Sequence, residues 1–265
     1  MAREWNATDY HRLSEPQMAW GRRVLERLQL RGDERVVDAG CGTGRLTAGL
    51  LDRLPAGHVI ALDRSFNMLQ AARDHLGSPG RRSVTFMQAD LNDLPLRGWA
   101  DLIFSTATFH WVLDHPRLFA GLYAALVDGG LLIAQCGGAG NLRRIHQHAD
   151  EVSRLAPFRQ FFADWSTPWE FASPETTAGR LAAAGFLDIE TSLEPAPTTF
   201  PKVEEFAAFG ATVVFRPYSA KLPGEELKQA FIRAVTERAS GDPVPFTFDY
   251  MRLNLRARKP LSLAL

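Results

Sequence analysis

The stretch Val36-Val37-Asp38-Ala39-Gly40-Cys41-Gly42-Thr43-Gly44-Arg45-Leu46-Thr47 decides how the chain is read. Two β-branched apolar residues run into an acid, and three glycines follow at every second position. Leu46, Leu50 and Leu51 then begin a helical apolar spacing. The pattern is strand, tight glycine turn, helix. Backbone stripped of side chains lets a ligand lie against the main chain at a helix N-terminus. Nineteen residues past Gly44, after a second apolar run (Val59-Ile60-Ala61-Leu62), stands Asp63. A second parallel strand would end there, with an acid placed to hold a ribose diol. An ordinary nucleotide fold or a plain βα turn would also accommodate these two features alone.

Outward from this stretch, the same alternation continues. Ser65 is a candidate cap for a helix containing Met68, Leu69 and Ala72. Val84-Thr85-Phe86-Met87 reads as a third strand leading into Ala89-Asp90-Leu91, where an acid can accept from an adenine amino group and Leu91 can cover the ring face. Asp101–Ser105 reads as a fourth strand, and Thr106–His115 sits at its carboxyl end, where open α/β sheets bind ligands. Leu118 to Val127 is expected to be helical, closed by a glycine cap at Asp128-Gly129-Gly130, with Leu131–Gln135 as the fifth strand. A return helix over 174–184, a sixth strand over 187–193 and a last, antiparallel strand over 246–255 complete the reading. The fold class is α/β: a doubly wound, mostly parallel, seven-stranded Rossmann-like sheet.

Three regions stand outside this alternation. Residues 1–20 hold Trp5, Tyr10, His11, Arg12 and Trp20, more large aromatics than a frayed terminus carries. They read either as simple packing or as a lid, with Tyr10 facing the reactive centre and Arg12 near a carboxylate. A helix is expected over 17–30. Residues 141–172, rich in Phe and Trp, and 195–245 leave the sheet as largely helical excursions. They are read as cap insertions of one domain spanning 1–265.

The totals bound the function. The 265 residues are 46% hydrophobic with a formal net charge of zero, which argues against broad attraction to nucleic acid or acidic membranes. The two cysteines, Cys41 and Cys136, suit reduced thiols better than a disulfide framework. No run approaches the roughly 18 apolar residues of a membrane-spanning helix, and the N-terminus has no apolar signal core. The expectation is a cytoplasmic protein acting on a small molecule, without nucleic-acid or membrane partners, as a monomer or homodimer.

The Asp-x-Gly-x-Gly-x-Gly pattern, with Asp63 ending the second strand and Asp90 past the third, resembles the class I S-adenosylmethionine (SAM) dependent methyltransferases. The likeness is closest to the branch that includes trans-aconitate methyltransferase. It runs through Trp5-Asn6, Tyr10, Asp38–Gly42, Phe109-His110-Trp111-Val112-Leu113-Asp114-His115 and Phe215-Arg216-Pro217-Tyr218. Thr43 and His110 depart from it, standing where that branch has proline and glutamine. The resemblance implies SAM as cofactor, S-adenosylhomocysteine as product and no metal. It implies a cofactor site of Arg12, Asp38, Gly40, Cys41, Gly42, Gly44, Asp63, Arg64, Met68, Asp90, Leu91 and Ser105.

Methyl transfer from a sulfonium needs alignment and a dry pocket. A carboxylate acceptor is already ionised at neutral pH and needs no base. An alcohol or amine would need one, and His110 is the leading candidate, with Tyr10 also near the chemistry. Trp111 and Tyr218 are candidate substrate contacts, and Arg216 a candidate clamp for a substrate carboxylate. Packing or solvated positions are the plainer meaning of each. Three activities remain open: methylation of a carboxylate on an organic acid or acyl compound; natural-product O-, N- or C-methylation with His110 as base; and SAM binding without catalysis.

Overall fold

The computed structural model describes residues 15–77 and 83–262. By internal contacts they fall into two compact units. One comprises residues up to 139, 169–194 and from 253 on; the other comprises 140–168 and 195–252. The segments expected as insertions in one domain thus form a compact body, and Trp169–Ala172 group with the sheet instead.

The first unit is built on a seven-stranded sheet ordered β3-β2-β1-β4-β5-β9-β6. Its strands are β1 (Arg35–Ala39), β2 (His58–Asp63), β3 (Val84–Gln88), β4 (Ala100–Thr106), β5 (Leu126–Gly137), β6 (Leu187–Pro195) and β9 (Met251–Arg258). β1 pairs in parallel with β2 and β4, and so do β2 with β3 and β4 with β5. β9 runs the other way. Lys259 N donates to Gly130 O at 2.9 Å, while Gln135 Nε2 donates to Asn254 Oδ1 at 2.7 Å, so one number rises as the other falls. Strands in the middle of the sheet are covered on both faces, which is why they read as continuous apolar runs. Val37, Ile60 and Ile103 enter one buried cluster, and their neighbours Val36, Val59 and Leu102 enter the opposite one, as the two-residue period of a strand requires.

The helices of this unit are α1 (Glu15–Glu26), α2 (Arg45–Asp52), α3 (Phe66–Leu76), α4 (His115–Ala125) and α6 (Pro174–Ala183). α1 and α2 approach closely: a Cβ on Gly21 would come within 2.3 Å of Leu46, and one on Gly49 within 2.6 Å of Leu25. α1 starts earlier and stops earlier than the 17–30 helix expected. Residues 15–20 of the expected lid are its first turns, whereas Tyr10 and Arg12 lie outside the described residues. Ser65 caps α3, its Oγ accepting from Met68 N.

The end of the helix after β4 differs from the sequence reading. α4 stops at Ala125 because Leu126 is already extended, so Asp128-Gly129-Gly130 caps no helix. These residues lie inside β5, where the register jumps from Ala100↔Leu126 to Leu102↔Leu131. Gly129 takes φ 79, which suits a residue without Cβ, and its N–H donates to Lys259 O at 3.0 Å.

The second unit contains α5 (Arg143–Ser153), α7 (Val203–Phe209), α8 (Arg216–Ser219), α9 (Gly224–Ser240) and a two-stranded antiparallel ribbon of β7 (Thr198–Thr199) and β8 (Thr247–Phe248). The ribbon takes the first residues of the strand expected over 246–255, so β9 begins only at Met251. The core is aromatic: Phe206, Phe209, Phe215, Tyr218, Phe231 and Phe248 are fully buried. Gly210 is required there, since a Cβ would meet the Phe215 ring at 2.4 Å. Among the described residues, no helix is long and apolar enough to cross a membrane, and no group of three His, Cys, Asp or Glu could hold a metal.

Candidate active site

The expected cofactor residues of the first unit meet at the carboxyl edge of the sheet. The chain leaves β1 at Ala39 and turns at once, with Gly40 N and Cys41 N both donating to Leu62 O, at 2.8 and 2.9 Å. Gly42 N donates to Asp63 Oδ2 at 2.9 Å, and Asp63 Oδ1 accepts from Ser65 N at 2.8 Å. The glycine turn and the acid that ends β2 are therefore one structure, made almost wholly of backbone.

The three glycines have three different reasons to be there, and all take positive φ: 85 for Gly40, 55 for Gly42 and 78 for Gly44. A Cβ on Gly40 would collide with Thr108 Oγ1 at 2.2 Å, so Gly40 makes room for the segment after β4. A Cβ on Gly44 would press on Ala72 and Leu76 of α3, so Gly44 sets helix packing. Among the described residues, a Cβ on Gly42 would meet nothing within 4 Å. Gly42 is the glycine that faces open space, beside a carboxylate.

Asp38 lies beneath this turn. It is 2% exposed, and its Oδ2 accepts from Thr47 Oγ1 at 2.7 Å. Burial pushes its carboxyl up to about 7 against the opposing hydrogen bond from Thr47, and the charge of Asp63 adds to the rise. Burial also raises Asp63, opposed by the N–H groups of Ser65 and Gly42. Cys41 is buried, and burial with the two carboxylates holds its thiol protonated. A buried carboxylate, Asp38, and a half-buried one, Asp63, beside an open stretch of backbone fit a cationic ligand with a ribose diol, the chemistry of SAM.

The other expected residues fall in three settings. Asp90 is partly exposed, with Oδ1 accepting from Asn92 N at 2.9 Å and Oδ2 4.0 Å from Arg64 Nη1. Leu91 and Met68 are buried, at 6% and 4% exposure, and Leu91 belongs to the main core cluster, so packing occupies the side chain expected to cover a ring face. Ser105 Oγ donates to Ala39 O at 2.6 Å and is buried, so its hydroxyl ties β4 to β1 and does not reach out toward a ligand.

Past β4 the chain turns sharply. Ala107 takes φ 54, its N–H donating to Gln135 O at 2.7 Å, and Thr108 Oγ1 bonds Thr106 O at 2.9 Å. Phe109–Trp111 form a single 3₁₀ turn. His110 is 9% exposed. Its Nδ1 accepts from Gly137 N at 3.2 Å, and its carbonyl accepts from Glu170 N at 2.8 Å. The ring lies between Trp111 and Phe171, with centroids 5.2 and 5.7 Å away, and Trp111 meets Trp169 edge-on at 6.2 Å.

Arg216 and Tyr218 lie on α8 of the second unit. Arg216 is half-buried. Tyr218 corrects its sequence reading as a substrate contact: it is fully buried, it stacks on Phe231, and its hydroxyl donates to Asp150 Oδ1 at 2.8 Å. Burial and the Asp150 carboxylate raise its phenol well above the ordinary value. His146 beside it is held neutral, its imidazole lowered to about 3 by burial.

The sequence reading missed Thr47, Thr108, Gly137 and Glu170. Thr108 and Gly137 are signalled only by what they touch across the sheet. Thr47 could have been found, since it lies one helical turn inside α2 and nine residues past Asp38.

Similarity to known proteins agrees with this geometry. A methyltransferase-domain family model matches residues 36–130. The chain is 31% identical to a trans-aconitate 2-methyltransferase of Deinococcus radiodurans over 231 residues, covering 84% of this chain and 85% of that one. It is 30% identical to a malonyl-[acyl-carrier protein] O-methyltransferase of Geobacter sulfurreducens over 250 residues, 91% of each chain. Among solved structures, phosphoethanolamine N-methyltransferase 2 of Haemonchus contortus in complex with SAM has a TM-score of 0.62 at 17% identity, covering 96% of this chain and 56% of that one. A SAM-dependent methyltransferase of Mesorhizobium loti has a TM-score of 0.53 at 22% identity, covering 89% and 96%. The chain belongs to the class I SAM-dependent methyltransferases, in the branch that includes the trans-aconitate 2-methyltransferases. It is an enzyme, and SAM is its methyl donor.

Proposed function

We propose that the enzyme methylates a carboxylate of a small organic acid or acyl compound, forming a methyl ester, and that His110 donates a hydrogen bond to the acceptor without acting as its base. The observation that carries this reading is the N–H of Gly137 donating to His110 Nδ1 at 3.2 Å. A neutral imidazole that accepts at Nδ1 carries its proton on Nε2. The nitrogen pointing away from Gly137 is then a donor, with no lone pair to take a proton. A phenol, alcohol or amine acceptor would call for a base, which a ring held this way does not offer; a carboxylate, ionised at neutral pH, calls for none. Glutamine, which the resembled branch carries at this position, is likewise an N–H donor and not a base.

The chemistry SAM supplies when bound is a methyl carbon made electrophilic by its sulfonium, and the thioether left behind needs no acid. In this reading Asp63 holds the ribose hydroxyls, the open face of Gly42 admits the cofactor, and Asp90 accepts from the adenine amino group. The relatives support the acceptor class: trans-aconitate and a malonyl group on an acyl-carrier protein both present free carboxylates.

The pH dependence of kcat/KM tests the role of His110. The expected profile has no acid limb near an ordinary imidazole value of roughly 6.5. His110→Gln is expected to retain most of the activity that His110→Ala loses. An acid limb at that pH, or equal losses in the two variants, would overturn the donor role.

A further inference from the structure

We propose that Arg180 is a positioning residue for methyl transfer: it fixes His115 as a neutral ring protonated on Nε2, and His115 fixes the turn that carries His110. The inference rests on the proposed contact of His110 with the acceptor, but its test needs neither acceptor nor cofactor.

The geometry forms a closed set of contacts within the first unit. Arg180 on α6 places Nη1 3.0 Å from His115 Nδ1 and 2.9 Å from Glu170 Oε1. Nη1 carries two hydrogens, one for each acceptor. A guanidinium does not deprotonate, so the lone pair in the first contact must be the imidazole's. That assigns the His115 tautomer: Nδ1 accepts, and Nε2–H donates to Phe109 O at 3.1 Å. On the next residue, the His110 carbonyl accepts from Glu170 N at 2.8 Å. Two consecutive carbonyls of the 3₁₀ turn are thus held, one by a ring and one by a backbone N–H. Both holders are anchored to the same guanidinium.

The setting of His115 makes the arrangement sensitive to Arg180. His115 is 2% exposed at the start of α4. The charged groups facing it are Arg180 from α6, Glu170 from the segment before α6, and Asp114 from the N-cap of its own helix. Burial pushes the imidazole below its ordinary value and Arg180 pushes the same way, against the Phe109 carbonyl, Glu170 and Asp114. Without the guanidinium, the two carboxylates remain, and a protonated ring becomes the favoured state as pH falls. A charged ring keeps its Nε2–H but turns Nδ1 into a donor, and a neutral ring no longer facing Arg180 can place its proton on Nδ1, so the single tautomer that clamps Phe109 is no longer enforced. A half-exposed Arg–Glu pair alone would do little of this, since such pairs contribute marginally to stability.

The experiment is long-range 1H–15N spectroscopy of the histidine side chains between pH 5 and 8, on the full chain and on Arg180→Met and Arg180→Lys. In the unsubstituted protein His115 is expected to keep one neutral Nε2–H pattern throughout. In Arg180→Met its titration is expected to move up toward, while staying below, the ordinary value of roughly 6.5, because burial still opposes the charge, with the His110 resonances shifting along the same curve. Arg180→Lys, which returns a cationic donor, is expected to restore the neutral pattern. Titration of His115 near that value in the unsubstituted protein overturns the proposal without any variant. So does a His110 signal unmoved while His115 titrates in Arg180→Met. A flat pH–rate profile together with either result would leave the donor role of His110 standing and remove only Arg180 from it.

Discussion

The turn after β1 and the turn after β4 stand side by side at the sheet edge, and they are made differently. The first is backbone: N–H groups of Gly40, Cys41 and Gly42 find acceptors at the end of β2, and glycine supplies the conformations. The second is held mainly by groups from farther along the chain, Gly137 on Nδ1 of His110 and Glu170 on its carbonyl, with His115, six residues on, holding the carbonyl before it. A cradle for an invariant cofactor can be written locally. A surface for the acceptor is assembled from distant pieces, so it can vary while the cradle stays. They touch at Gly40 and Thr108, where the absence of one side chain makes room for the other.

That junction is where the comparison is easiest to break. Gly40→Ala combines strain at φ 85 with a Cβ 2.2 Å from Thr108. Left-handed strain and overpacking together suggest a loss of roughly 2–5 kcal/mol, read by urea unfolding, with SAM binding lost in parallel. Thr108→Ala on that background should return part of the stability. If it returns none, the clash is not what makes Gly40 necessary.

Asp38 gives the next effect. Its folded pKa of about 7 lies above the ordinary 3.8, so its contribution to stability is fully present below the ordinary value and is lost as pH rises through 7. Three units correspond to at most about 4 kcal/mol between pH 4 and 8. Asp63, raised in the same direction, adds to the slope. Asp38→Asn should flatten the dependence of chemical-denaturation stability on pH over this window. An unchanged slope in the variant would mean that the buried acid is not the source.

The smallest stability effect separates the two kinds of glycine. Gly42→Ala meets open space among the described residues, so it should lower stability by only about 1 kcal/mol through backbone strain. Because that space is where the cofactor is proposed to lie, SAM affinity by titration calorimetry should fall at least tenfold. A variant that keeps full affinity would move the cofactor elsewhere on the edge.

Most of the sheet could be read from the chain because its signals are local. The buried strands are apolar runs, Ser65 caps α3 at the residue expected, and Asp63 lies at the predicted strand end. What was misread turned on competition. Asp128-Gly129-Gly130 has the composition of a helix cap, yet β5 and β9 claim it for the sheet. Tyr218 has the chemistry of a ligand contact, yet Asp150, 68 positions away, uses its hydroxyl inside an aromatic core. His110 was legible as a residue at the right edge. Its tautomer was not, because Gly137 reaches it only through the pairing of β4 with β5.

The most direct measurement incubates the enzyme with methyl-labelled SAM and a panel of small di- and tricarboxylic acids, acyl thioesters, phenols and amines, then treats each product with mild alkali. Label should pass to a carboxylate and be released by alkali as methanol, the signature of a methyl ester. Label that appears only on a phenol, amine or carbon, and resists alkali, would contradict the carboxylate reading and with it the donor role of His110.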